Sequence, residues 1–203
     1  MRTEAPRRSP LALAVLALLA EEPMHAYRMQ QLIKERAKDD VVNVAQRNSI
    51  YQTIARLVRD QLARVRETSR EENRPERVVY EITALGKATL ETWMETMLSA
   101  LAREFPEFPA AVSFIALLPP SKARACLEAR RTAVAQRLAE ARIGLERVQA
   151  MGLPRLFVLE DEYRDALSKA ELAWLDGVIA DLRDKTLTWN RAWLRDVARR
   201  LQQ

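Results

Sequence analysis

The spacing of apolar positions changes along the first hundred residues, and each change marks an element. Between Ser9 and Ala20, Leu11, Val15, Leu18 and Leu19 recur at helical spacing behind Ser9, suited to a helix cap, and Pro10, suited to a first turn. Glu21, Glu22 and Pro23 interrupt this run, and Ala26, Met29 and Ile33 form the inner stripe of a second helix over about His25–Lys38. After Asp39 and Asp40 a third helix is predicted over Arg47–Gln61, with Ile50, Ile54, Leu57 and Val58 facing inward. At about 100° per residue, Ser49, Gln52, Arg56 and Arg59 fall on its opposite, polar side. The period then shortens. Leu62–Thr68 reads as a strand, Ser69–Pro75 as a charged turn, and Arg77–Thr83 alternates, with Val78, Tyr80 and Ile82 on one side of a hairpin.

Helical spacing resumes at Thr83, a capping residue, with Leu90, Trp93 or Met94, Met97 and Leu101 on one stripe that ends before Pro106. Pro106, Pro109, Pro119 and Pro120 bracket a short apolar helix over residues 110–118 and mark a domain boundary, giving domains 9–103 and 104–203. Ser121 can cap a long helix to Met151, where Leu127, Val134, Ala141 and Val148 repeat every seven residues beside Leu138 and Leu145. Arg131 interrupts that seam, which favours a helical hairpin within the chain over a long free coil. Gly152 and Pro154 end the helix. A last helix from Arg155 is expected to turn Leu159, Tyr163, Leu167, Ala170, Trp174 and Val178 inward; the pattern leaves open whether it continues through Trp189, Trp193 and Val197.

With only four glycines in 203 residues and 48% hydrophobic content, the class is mostly α with a substantial core. The net charge of +5 favours anionic partners, and its distribution is uneven: 16 Lys/Arg stand against 12 Asp/Glu in residues 1–90, and 17 against 16 thereafter. A single cysteine, Cys126, and a single histidine, His25, allow neither an internal disulfide nor a Cys/His zinc cage. Cys126 is expected to be a buried or inert thiol, His25 a helix-entry or phosphate-contact residue. Arg7 and Arg8 before the apolar run 11–20 resemble a short signal peptide, but the run is too short to span a bilayer and leads directly into further helices. A cytoplasmic protein without membrane attachment is expected.

Three helices followed by a two-stranded wing form the layout of a winged helix-turn-helix, because a major groove admits one helix while an adjacent hairpin can reach the backbone. On this layout Ser49, Gln52, Arg56 and Arg59 are candidates for base or phosphate contact, and Arg47, Asn48 and Tyr51 for phosphate contact at the helix start. Arg70, Arg74 and Arg77 of the wing alternate with Glu71, Glu72 and Glu76, so contact by one or two of them and contact by none are both open. The order of these pieces resembles the PadR family of bacterial regulators. LALLAEEPMHAYRMQQLI is similar to that family's first two helices, SIYQTIARLVRDQLARV to its recognition helix and wing entry, and RPERVVYEITALGKATL to its second wing strand and following helix. The family usually has Gly at the positions of Ala26 and Gln61. FPAAVSFIALLPPS and AELAWLDGVIADL resemble the C-terminal extension of a subfamily. The resemblance implies a homodimeric repressor of an inverted repeat, often with ATGT and ACAT halves, released by a small molecule or stress signal.

Candidate dimerisation residues are Leu90, Trp93, Met94, Met97 and Leu101 on the helix that leaves the winged domain, and the α-helical C-terminal domain, 104–203, is expected to serve dimerisation and is the candidate effector domain. Trp93, Phe114, Tyr163 and Trp174 are candidate lining for an effector pocket, with core or dimer interface as the alternative reading; Phe105 and Phe157 share that ambiguity. Glu160–Glu162 reads as helix-start charge. No nucleophile and base, metal cluster or phosphate loop assembles from motif spacing, so no catalytic residue, metal or cofactor is expected. The expected partners are double-stranded DNA, a second copy of the chain and a small-molecule effector. The competing class is a protein-interaction adaptor using the helical C-terminal half.

Overall fold

The computed structural model describes residues 6–43, 47–69 and 77–200, without the side chains of residues 40, 47, 48, 69, 77 and 147–149. It divides into two compact units, Met1–Arg103 and Glu104–Gln203.

The first unit begins with α1, Pro10–Glu21. Ser9 caps it, its hydroxyl oxygen accepting from the Ala12 N–H at 3.2 Å, and Val15 and Leu16 are wholly buried. The next helix, α2, spans Ala26–Glu35 and is capped by His25, whose Nδ1 accepts from the Arg28 N–H at 3.0 Å. It stops short of the expected Lys38 because Ala37 turns left-handed, at φ 51°, into a 3₁₀ turn over Lys38–Asp40. Arg36 reaches back to Glu21 with two bonds of 2.6 and 2.8 Å, tying the two helices together. This hydrogen-bonded guanidinium holds the Glu21 carboxyl below the ordinary carboxylate range.

The recognition-helix candidate, α3, covers Arg47–Arg59, with Ile50, Ile54 and Leu57 in the core and Val58 packed at its edge. It is followed by β2, Ala63–Ser69, and β3, Arg77–Ile82. The sequence predicts a two-stranded wing. A third strand, β1, formed by Met24 and His25, pairs with β3 and makes an antiparallel sheet of order β1-β3-β2. Met24 is drawn into the core, and its backbone then finds partners on the open edge of β3. Pairing of β2 with β3 shifts between Val65 and Glu67, a bulge at Arg66 that adds twist to the wing.

The elements meet at one joint. Helix α3 ends in a Schellman arrangement, with Gln61 left-handed at φ 60°, its N–H donating to Val58 O at 3.0 Å and the Leu62 N–H to Leu57 O at 2.8 Å. Thr83 closes the other side: its N–H donates to Leu62 O at 3.1 Å, its hydroxyl to Gln61 O at 2.7 Å, and the same hydroxyl oxygen accepts from the Gly86 N–H at 2.9 Å to cap α4, Ala84–Ser99. A Cβ on Gly86 would lie 2.0 Å from Leu62 O. Only glycine fits there.

The second unit contains α5 (Glu107–Ser113), a 3₁₀ turn (Ile115–Leu117), α6 (Pro120–Ala150), a 3₁₀ turn (Arg155–Val158), α7 (Leu159–Arg183) and α8 (Arg191–Arg200). The α6–α7 pair is the expected helical hairpin: the ion pairs Arg130–Glu171 (2.5 Å), Arg131–Asp176 (2.5 Å) and Arg142–Asp165 (3.6 Å) run antiparallel. Arg131, which breaks the heptad seam in sequence, thus bridges its flank. Leu127, Leu175, Ile179 and Leu182 form the core, with Val134, Val178 and Trp189 packed around it. The Trp189 indole N–H donates to Leu118 O at 2.9 Å. Helix does not continue to Trp193, because residues 184–190 break it around a left-handed Lys185.

The inner stripe of α7 differs from the expected one. Leu175, Ile179 and Leu182 are buried, whereas Leu159, Tyr163, Leu167 and Trp174 are exposed. Both faces carry apolar residues, and the buried one is flanked by the ion pairs to α6.

At the joint, Gly86→Ala is expected to lower stability by about 3 kcal/mol or more, because the obstructing atom belongs to the backbone. Gln61→Gly is expected to raise it by roughly 0.5–1 kcal/mol by relieving left-handed strain. Urea unfolding of the two variants, followed by circular dichroism, checks both signs.

Candidate nucleic-acid interface

Burial of one face of α3 decides which residues its other face offers. Gln52, Ala55 and Arg59 stand exposed along one strip, with Tyr51 beside it and Ser49 half-buried at its margin. Arg59 contacts its neighbour Asp60, at 3.4 Å. Ala55 was missed by a search for polar residues, although its place three residues after Gln52 puts it on the strip; an exposed methyl there is suited to the thymine methyl group. Arg56 is more enclosed than its spacing implies: Nη2 donates to the Ser9 hydroxyl at 3.3 Å, and Nε is buried without a hydrogen-bond partner among the described residues. The backbones of Arg47 and Asn48 open α3; their side chains lie outside the described set.

The wing supplies further charge. Arg64 donates to Glu81 at 2.7 Å and Arg66 lies 3.9 Å from the same carboxylate, so two exposed cations share one anion on the hairpin. Neither was singled out from the sequence. Arg70 and Arg74 lie outside the described residues, and the Arg77 backbone pairs with Ser69 at the outer end of the ladder. Burial pushes the Tyr80 phenol above its ordinary range, with a smaller contribution from the nearby Tyr51 at the start of α3.

The proposed dimerisation stripe divides. Trp93, only 7% exposed, is part of the core of its own unit, and Leu90 packs against that core. Trp93 is thus a core residue of its own unit, the alternative that its sequence pattern left open. Met94, Met97 and Leu101 are exposed, as is Leu98.

The remaining effector candidates sit in the second unit. Phe114 lines an apolar groove of about 490 Å³ between α5, the following 3₁₀ turn and α6, walled also by Phe108, Leu117, Leu127 and Arg130. Cys126, expected to be buried or inert, is exposed on that wall. Trp174 is 43% exposed and meets Phe108 edge to face at 5.9 Å, while Arg130 covers the Phe108 ring at 3.5 Å. Tyr163 is exposed, as are Phe105 and Phe157.

Comparison with known proteins bears on the first unit. Residues 15–92 match the family model described as the transcriptional regulator PadR-like family. This chain carries a PadR-like domain. The match spans α1, the sheet, α3 and most of α4, so the joint at Gly86 lies within the PadR-like domain. Among solved structures, the chain resembles Bacillus subtilis PadR in complex with operator DNA (20% identity, 85% of this chain and 98% of that one, TM-score 0.68). It also resembles the same protein in complex with p-coumaric acid (19%, 86% and 99%, 0.69) and the Vibrio cholerae virulence activator AphA (18%, 86% and 99%, 0.66). These likenesses establish a fold shared with PadR regulators well beyond the residues of the PadR-like domain. No curated protein matches the chain.

Trp174→Ala separates a ring at a margin from a ring in a core. A loss of about 1–2 kcal/mol is expected, from one aromatic contact and partial burial, against roughly 3–5 kcal/mol for a fully buried ring. Thermal unfolding of the variant checks this difference.

Proposed function

We propose that the chain is a sequence-specific DNA-binding transcriptional regulator, a repressor that binds an inverted-repeat operator as a homodimer and is released by a small-molecule or stress signal. The observation that carries this reading is the open strip of Gln52, Ala55 and Arg59 on α3, followed in the chain by a wing that carries arginines, in a PadR-like domain. An amide, a methyl group and a guanidinium in one row match the acceptor, donor and methyl pattern of a major groove. Arg47, Asn48, Tyr51 and the wing arginines Arg64, Arg66, Arg70, Arg74 and Arg77 then hold the backbone. Arg56 borders the strip and is held there by Ser9.

Two exposed apolar surfaces support self-association: Met94, Met97, Leu98 and Leu101 in the first unit, and Leu159, Tyr163, Leu167 and Trp174 in the second. The effector is a compact apolar molecule seated in the groove beside Phe108 and Phe114. B. subtilis PadR, structurally similar, has been solved in complex with p-coumaric acid, which makes that compound the first probe. We assign the chain no catalytic activity and place it in the cytoplasm; among the described residues, no helix is long and apolar enough to cross a membrane. The open α7 face is also what an adaptor would offer to another protein, and DNA binding separates the two readings.

The test is a gel shift on the region upstream of the chain's own gene across a salt series. Gln52→Ala and Arg59→Ala are each expected to weaken specific binding by about 1–3 kcal/mol without unfolding the protein. Wild-type affinity in both variants would show that α3 does not read the groove through this strip.

Self-association has its own measurement. Light scattering should give about twice the 23.3 kDa chain mass, and Leu167→Asp should shift the protein toward monomer by placing a charge on the open α7 face. A dimer indifferent to this change would place the interface elsewhere.

A further inference from the structure

The chain's entry into α1 runs beside the reading face of α3. Ser9 fixes that entry twice: its hydroxyl oxygen accepts from the Ala12 N–H at 3.2 Å and from Arg56 Nη2 at 3.3 Å. Arg56 lies within about 60° of both Gln52 and Arg59 around α3, so the segment that Ser9 ends is held at the border of the open strip. Arg7 and Arg8 directly precede Ser9, and both are exposed. Neither forms an ion pair among the described residues, whereas Arg28, Arg36, Arg59 and Arg64 in the same unit each contact a carboxylate. The first turn of α1 has no acidic side chain to neutralise them.

We propose that Arg7 and Arg8 extend the DNA interface, binding backbone phosphates at the edge of the groove that α3 enters. This rests on the DNA-binding reading above. Two guanidiniums on an extended segment, anchored one residue away to the recognition helix, offer charge without a rigid fork aimed at a base edge. Their contribution is therefore independent of sequence. It adds to affinity for any duplex and leaves the choice among duplexes to α3. Ser9 and Arg56 act here as positioning residues, holding the arginine pair against α3.

The experiment measures fluorescence anisotropy of labelled duplexes, one from the chain's own upstream region and one scrambled, between 50 and 300 mM KCl (~0.05–0.3 M). Wild type is compared with Arg7→Ala/Arg8→Ala and with the charge-conserving Arg7→Lys/Arg8→Lys, after circular dichroism melts show equal folding. The double alanine variant is expected to lose affinity on the order of tenfold for both duplexes. Its slope of log K against log salt should fall by about 1.8, the value for two phosphate contacts, and the double lysine variant should recover that slope. An unchanged slope, or a loss confined to the upstream duplex, would overturn the proposal. Wild type that binds neither duplex would overturn the regulator reading along with it, and is told apart because the failure precedes any substitution.

Discussion

The contact between Gly86 and the Leu62 carbonyl constrains the first unit more than any other. At this point the end of α3, the entry to the wing, the last strand and the start of α4 meet, and the Leu62 oxygen accepts from Thr83 where a side chain on residue 86 would stand. Hydrogen bonds through Thr83 and Gln61 then fix the angle at which the hairpin leaves the helix. A reading helix and its wing must approach one duplex together, and their relative position is set by this backbone contact. Strain accepted at Gln61, in a left-handed conformation without glycine, reflects how strictly the turn is prescribed.

Much of this unit was legible because local and tertiary signals agree. Ser9, Pro10 and Thr83 announce helix starts through their own side chains or rings, and the apolar period changes from helical to alternating at the wing. Strand β1 was hidden: two residues carry no period, and Met24–His25 become a strand only because β3 presents an open edge. Arg56 was legible as a face but not as a contact. Angular position on α3 puts it with Gln52, while the hydrogen bond to Ser9, 47 residues away in sequence, is a fact of packing.

The second unit shows where periodicity stops deciding. Helix α7 carries apolar residues on two sides, and either stripe could have faced α6. Charge at the flanks accompanies the outcome: Glu171, Asp176 and Asp165 meet Arg130, Arg131 and Arg142 where Leu175 and Ile179 turn inward. Surface ion pairs of this kind add little stability individually, and here they flank the face that is buried. The aromatic residues left outside, Tyr163 and Trp174, were read as lining or core because aromaticity alone does not reveal direction. Trp93 shows the same ambiguity resolved the other way, by burial in the first unit.

Strand β3 occupies the middle of its sheet, with β2 on one side and β1 on the other. Because β1 runs directly into the His25 cap of α2, the hairpin is not a loose arm hung from the domain. On the proposed reading, a push on the wing from a nucleic-acid backbone would pass across β3 into the entrance of the second helix. Bending or widening a groove would then be felt by the whole reading head at once, and mechanical information about the duplex would enter the fold through hydrogen bonds that touch no base.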